Sequence, residues 1–286
     1  MIKSIADIDR YLLDIRQRPS VDETASKYVQ SLLAEIKAQA VHEMNQEKAK
    51  ACWCYETILT IQCAYLSAFE MMKAGSYYEA WCHLEKVEVG FAWLGEHFAW
   101  DDESYALSFI ETHVRLYQSL YPYRYFVSPA ILHLESVCSV CGERVSVRAP
   151  CGHRVGEIYD GEMCSHMITK IEVLEISIVD RPAHKYAVLF TNNEDSKRVD
   201  HHDYRLVAYV VSGLSSPFDE WSLTWSKIRH PHSYYEHVAS TDSCPCGSGD
   251  MYVECCLQEE GVLRPHVDVH FSAPPPDSLT HIQYLY

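Results

Sequence analysis

Residues 21–74 read VDETASKYVQSLLAEIKAQAVHEMNQEKAKACWCYETILTIQCAYLSAFEMMKA, a stretch without one glycine or proline. Nothing in it interrupts a helix. A single helix of that length would run about 80 Å, so the lapse of the apolar stripe at Val41–Glu47 predicts a break there. Just upstream, after Pro19, Ser20 and Glu23 have the spacing of a capping box, in which each side chain satisfies the other's backbone N–H. Further upstream, Ser4 and Asp7 open a short amphipathic helix with Ile5, Ile8, Leu12 and Ile15 on one face.

Downstream, Gly75 suits a helix C-cap, and Ser76 with Glu79 makes a second capping box, so the next helix folds back on the last. That helix carries Trp81, Leu84, Val87, Phe91 and Leu94. One more, after Asp102, carries Phe109, Ile110, Val114, Tyr117 and Leu120 and stops at Pro122. Such hairpins faintly resemble tetratricopeptide pairs, but no second copy recurs at a period of about 34 residues. Residues 1–125 are therefore read as a helical bundle, a platform for protein interaction.

Beyond Pro129 the periodicity changes to two. Lys170–Val179 alternates Ile171, Val173, Glu175, Ser177 and Val179 against Glu172, Leu174, Ile176 and Ile178. Lys185–Phe190, Tyr204–Val211, Trp221–Ile228 and Val262–Phe271 also read as short strands. Asn192–Asp203 reads as a polar hinge or exposed loop, and the tail after Phe271, with Pro274, Pro275 and Pro276, as extended chain. The fold class is thus α+β, with a zinc-knuckle module at 126–192 and an α+β region at 193–286.

Across its 286 residues the chain has 40 acidic and 24 basic side chains, a formal charge of −16, and both halves are acidic. That balance opposes sequence-blind binding to nucleic acid or anionic lipid, which need a basic footprint. No apolar run has the length of a signal peptide or a membrane span. The setting expected is the reducing cytoplasm, because eight of the twelve cysteines fall into two compact clusters at metal-ligand spacing.

The first cluster is Cys138-x2-Cys141-Gly142, then Cys151-Gly152-His153, then Cys164-Ser165-His166. A Cys-x2-Cys turn sets two thiolates about a zinc radius apart, and the glycine after it lets backbone N–H groups approach the sulfurs. Four ligands are needed and five candidates are present: Cys138, Cys141, Cys151 and Cys164 are preferred, His153 is the main substitute, and His166 is read as a surface residue. The run CGHRVGEIYDGEMC at 151–164, followed by LEISIVDRPA at 174–183, resembles a small Cys/His module of phage-derived proteins, with Gly156, Tyr159 and Gly161 at matching positions. That resemblance implies metal binding and a phage-related or defence setting, but no activity.

The second cluster, CPCGSGDMYVECC at 244–256, resembles the SEC-C motif, the zinc-binding tail of the Sec translocation motor protein and of many bacterial proteins. The resemblance implies Cys244, Cys246, Cys255 and Cys256 as zinc ligands, with Ser248 donating to a ligand sulfur. Where the family usually carries lysines, this chain has Asp250, Met251, Val253 and Glu254, which argues against a ribosomal RNA partner. About 30 residues follow the motif, which points to its being packed into a domain. Two sets of four protein ligands read as structural zinc sites, two zinc ions per chain, since catalytic sites keep a position open.

No GxSxG, phosphate loop, dinucleotide fingerprint or HExxH is present. The histidine groups Asp200-His201-His202-Asp203, His230-Pro-His232 and His266-Val-Asp268-Val-His270 would make a metal-dependent hydrolase if they converged. Cys52, Cys54, Cys63 and Cys82 read as packing residues of the helical region. The leading expectation is a non-enzymatic zinc protein that recognises a protein partner through an aromatic-lined acidic surface; the alternative is the hydrolase.

Overall fold

The glycine-free stretch folds as two helices. Naming elements in chain order, α1 is Ile5–Leu13, α2 is Glu23–His42 and α3 is Gln46–Lys73. The break between α2 and α3 falls where the stripe lapses. Met44 takes a left-handed φ of 56° there, and Asn45 caps α3 by accepting from the Lys48 N–H at 3.0 Å. A computed structural model describes residues 2–193, 195 and 198–274. The chain is α+β and divides into two compact units: the chain up to Val211 with Ser216–Phe218, and Ser212–Ser215 with the chain from Asp219.

Ser4 caps α1, accepting from the Asp7 N–H at 3.2 Å while donating to the Asp7 carboxylate at 2.9 Å. The box expected from Ser20 and Glu23 does not form. Asp22 is the cap, accepting from the Ala25 N–H at 2.9 Å; Glu23 is already helical and pairs with Lys27 one turn on. Ser76 sits at the N-cap of α4 (Tyr77–Leu94) without a side-chain capping bond. A shorter α5 spans Leu107–Ser119.

Helix α3 is the axis of the first unit. It buries side chains nearly all round, including Cys52, Trp53, Cys54, Ile58, Ile61, Tyr65 and Phe69, as expected of a helix enclosed by its neighbours. Its one fully buried amide, Gln62, is satisfied: the side-chain N–H groups donate to the Leu12 and Tyr105 carbonyls at 2.9 and 3.1 Å. Where α4 crosses α3, Gly90 leaves room for Ile61; a Cβ there would lie 2.6 Å from Ile61 Cγ1. Ile61 is fully buried and cannot swing away. Gly90→Val is therefore expected to destabilise the unit by about 2 kcal/mol, the overpacking cost exceeding the gain in helix propensity; urea denaturation followed by tryptophan fluorescence checks it.

Trp81 of α4 joins the helices to the segments that succeed them in the chain. It is buried against Tyr121, Tyr123 and Phe126, and its indole N–H donates to the Lys185 carbonyl at 2.6 Å. Beside it, Glu85 accepts from the backbone N–H groups of Lys185 and Tyr186, each at 2.6 Å. Lys185–Phe190, expected as a strand, is thus a segment pinned to α4. It meets the sheet at a bridge between Phe126 and Val188.

The strands of the first unit are β1 (Phe126–Cys138), β2 (Ile158–Tyr159), β3 (Glu162–Met163), β4 (His166–Val179), β5 (Thr191–Asn192) and β6 (Arg198–Val199). They form three two-stranded antiparallel sheets, β1–β4, β2–β3 and β5–β6. Register shifts between Ala130 and Ile131 leave Leu174 as an extra residue: Ala130 faces Glu175 and Ile131 faces Val173. The bulge corrects the strict alternation read across Leu174. With that residue skipped, Ile171, Val173, Ile176 and Ile178 share one face of the ribbon and Glu172, Glu175 and Ser177 the other.

The region Asn192–Asp203, read as a hinge or loop, holds the end of β5 and all of β6. Arg198 lies 4.5 Å over the ring of Tyr78, a contact that ties β6 to α4. Tyr204–Val211 is not a strand but part of α6 (Arg205–Gly213). Leu206, Val207, Val210 and Val211 are buried at i, i+1, i+4, i+5 spacing, so a helical stripe overrides the strand preference of the valines.

The second unit holds β7 (Trp221–His230) and β8 (Val262–Phe271), paired in full register from Trp221–Phe271 to His230–Val262. Its small core is Tyr235, Cys244, Tyr252, Cys256 and Val262. The extended tail expected after Phe271 lies, from residue 275, outside the described residues.

Candidate metal centres

The end of β1 delivers Cys138, and the chain turns at once. The Gly142 N–H donates to the Cys138 carbonyl at 2.9 Å, and the Cys138 N–H to the Glu143 carbonyl at 2.8 Å. This turn brings Cys141 back to Cys138. The second half of the site is tied in the same way: Gly156 donates to the Cys164 carbonyl at 2.9 Å, and Cys164 to the Glu157 carbonyl at 2.8 Å.

Four of the five sequence candidates converge, and the fourth place is taken by His153 rather than by the preferred Cys164. The ligand atoms of Cys138, Cys141, Cys151 and His153 lie within 4.8 Å of one another. Cys164 is buried behind them, its sulfur 3.8 Å from that of Cys138, the same distance as Cys138 Sγ to His153 Nδ1. The set that closes is the one with His153, and Cys164 adjoins it at Cys138. His166 is exposed on β4.

Three contacts that the spacing of cysteines could not reveal seat this module on the helices. Lys37 of α2 bridges Glu56 of α3 and Glu162 of β3, at 2.7 and 2.6 Å. Gln46 accepts from the Asp160 N–H at 3.0 Å, and His97 donates through Nε2 to the Gly156 carbonyl at 2.7 Å. Gly161 makes the fit possible: its φ is +71°, and a Cβ would lie 2.5 Å from Lys37 Cδ and 3.0 Å from the Ala49 carbonyl. The only hint in the sequence was the Gly161 position itself.

In the second unit, Cys244, Cys246, Cys255 and Cys256 bring their sulfurs within 4.8 Å of one another. The CxC turn closes through Gly247 N–H to the Cys244 carbonyl at 3.0 Å and Cys244 N–H to the Asp250 carbonyl at 2.7 Å. Ser248 stands against the sulfurs, its hydroxyl 3.5 Å from Cys255 Sγ. Tyr252 anchors the loop from below. His232 Nε2–H donates to the Glu259 carbonyl at 2.9 Å, so its Nδ1 accepts from the Tyr252 hydroxyl at 2.6 Å. Arg264 of β8 donates to the Pro245 carbonyl.

The spacings discriminate between a metal and a disulfide. Around a tetrahedral zinc with sulfurs at about 2.3 Å, neighbouring sulfurs stand about 3.8 Å apart. Here Cys246–Cys255 is 3.6 Å, Cys255–Cys256 is 3.9 Å and Cys138–Cys164 is 3.8 Å. A disulfide needs about 2.05 Å, and all twelve cysteines are free.

The electrostatics point the same way. The backbone N–H of Cys141 pulls the Cys138 thiol down to about 6, and the Ser248 hydroxyl does the same for Cys246. Burial raises Cys164 and Cys244 and pushes Cys256 up to about 12. Each cluster therefore ionises one sulfur readily and resists a second negative charge, a conflict that a bound dication removes. Two clusters able to hold a metal ion are what the described residues present.

The histidine groups add no third set of convergent donors among the described residues. Asp200 accepts from the Tyr204 hydroxyl at 2.6 Å and from the His202 N–H at 3.0 Å. Its carboxyl sits below the usual range because these bonds outweigh the opposing effect of partial burial. His230 is buried, His266 pairs with Asp268 at 3.1 Å, and His270 bonds Thr224 at 2.9 Å.

One cavity of about 530 Å³ lies elsewhere on the first unit, lined by α3, α4, Glu162 and the 184–186 segment. Trp53, Trp93 and Tyr186 give it aromatic walls; Glu56, Glu85 and Glu162 give it carboxylates. Trp93 and Tyr186 are each half exposed. No helix among the described residues is long and apolar enough to cross a membrane. No protein-family model, curated protein or solved structure matches the chain.

Proposed function

We propose that this chain is a non-enzymatic zinc protein that recognises a protein partner, with zinc as the structural ion of both clusters and the second cluster a SEC-C-type site. The observation that carries this reading is the closure of both donor sets. Each brings four protein donor atoms within 4.8 Å of one another, enough to fill a tetrahedral zinc without a water, the pattern of folding staples rather than of catalytic zinc. The sulfur-rich donor sets favour zinc over harder cations, and free thiols at this density suit a reducing compartment such as the cytoplasm.

The recognition surface in this reading is the cavity with Trp53, Trp93 and Tyr186. Exposed aromatics with nearby carboxylates are typical anchors for a protein side chain carrying an apolar stem and a positive end. Zinc acts on recognition indirectly: Glu162, on the cavity rim, belongs to the hairpin that follows the ligand His153 and is clasped by Lys37.

Elemental mass spectrometry on untagged protein is expected to find two zincs per chain. Trp93→Ala should keep both metals and the melting temperature while losing at least tenfold in the yield of the partner crosslinked in cells. A third metal equivalent, lost on substituting His266 and Asp268 together with a hydrolytic activity, would refute the reading.

A further inference from the structure

The β1–β4 ribbon has an apolar face that nothing described covers. Register places Ile131 with Val173 and Val127 with Ile178 on one side, joined by Ile171 and Ile176. Ile176 is 70% exposed and Ile178 64%. Skipping the bulged Leu174, the strand reads Ile-Glu-Val, then Glu-Ile-Ser-Ile, a strict alternation of the kind that prepares one face of a sheet for burial. Yet a two-stranded ribbon is marginal alone and gains stability by packing that face on something.

We infer that this face packs on the same face of a second copy of the chain, forming a two-layer, four-stranded β-sandwich about a two-fold axis. Three observations select this occupant. The apolar surface is continuous and open: Ile131, Ile171, Val173, Ile176 and Ile178 are each between 39% and 70% exposed, a patch of the kind that marks an interface. The face is self-complementary: its aliphatic row is interrupted only by His133, so an isologous contact buries no like charges. The ribbon's carboxylates Glu172 and Glu175 occupy the opposite side and stay in water when the faces meet. A lipid surface fits poorly, because the chain carries −16.

Sedimentation equilibrium of the full, metal-loaded chain tests this. Wild type is expected at twice the 32.9 kDa of one chain at about 50 µM, above the micromolar range of the weaker interfaces. Ile176→Glu and Val173→Glu should each weaken association at least 100-fold while keeping the far-ultraviolet circular dichroism and metal content of wild type. Leu132→Glu, on the opposite face, should remain dimeric. A monomeric wild type at that concentration overturns the inference, whether the face then proves to take phosphatidylcholine vesicles or a different protein. So does a dimer that survives both glutamates. The result is separable from the recognition reading, since Trp93→Ala leaves the ribbon untouched.

Discussion

Cys256→Ser is expected to release one metal equivalent and to leave residues 219–271 without a stable fold. The second unit has a five-residue core, and two of those residues, Cys244 and Cys256, are cluster thiols. Its one sheet among the described residues is a two-stranded ribbon. Units this small need a staple. A structural zinc supplies about 10–16 kcal/mol of apparent binding energy in small metal-folded peptides, as much as the whole stability of an ordinary domain, about 5–15 kcal/mol. Removing a buried ligand therefore removes the fold rather than trimming it. Hydrogen exchange is the measurement: amides of β7 and β8 should lose protection in Cys256→Ser, as they should in wild type treated with chelator. Retained protection together with retained metal would show that three sulfurs suffice.

Trp81→Ala is expected to cost the first unit about 3–5 kcal/mol, the range for emptying a buried aromatic site. Its melting temperature should fall by roughly 10 °C, at about 2–4 °C per kcal/mol for a unit of this size. The side chain fills the space between Tyr121, Tyr123 and Phe126, and its N–H holds the Lys185 carbonyl. Trp81→Phe keeps most of the contact and loses the hydrogen bond, so it should cost only about 1–2 kcal/mol. Calorimetry on both variants separates packing from hydrogen bonding; equal losses would mean that the bond to Lys185 dominates.

The helical half was legible because its signals are local. Glycine and proline at 19, 75 and 122 punctuate it, and the lapse at 41–47 marks the turn at Met44. Both clusters were legible because ligand spacing in sequence translates directly into a turn. What failed depended on distant partners. Asp22 displaces the Ser20–Glu23 box because the helix begins two residues later than that box needs. The valines of 204–211 look like a strand until the burial of Leu206, Val207, Val210 and Val211 selects the helix. β1 went unnoticed because Pro129, His133 and Glu135 break its pattern, and only pairing with β4 makes it a strand. The choice between His153 and Cys164 was open in the sequence, and the geometry keeps both beside Cys138.

The extra residue at Leu174 governs how this chain accepts insertions and deletions. From Ile171 to Val179 the strand counts in twos on either side of it, and the bulge resets the count without moving any side chain to the wrong face. A chain lacking that one residue would keep both faces and lose only the local bend. Leu174 is therefore a place in β4 where a length difference between related chains is tolerated. An ungapped alignment across such a difference would set the aliphatic row of one chain against the carboxylates of the other.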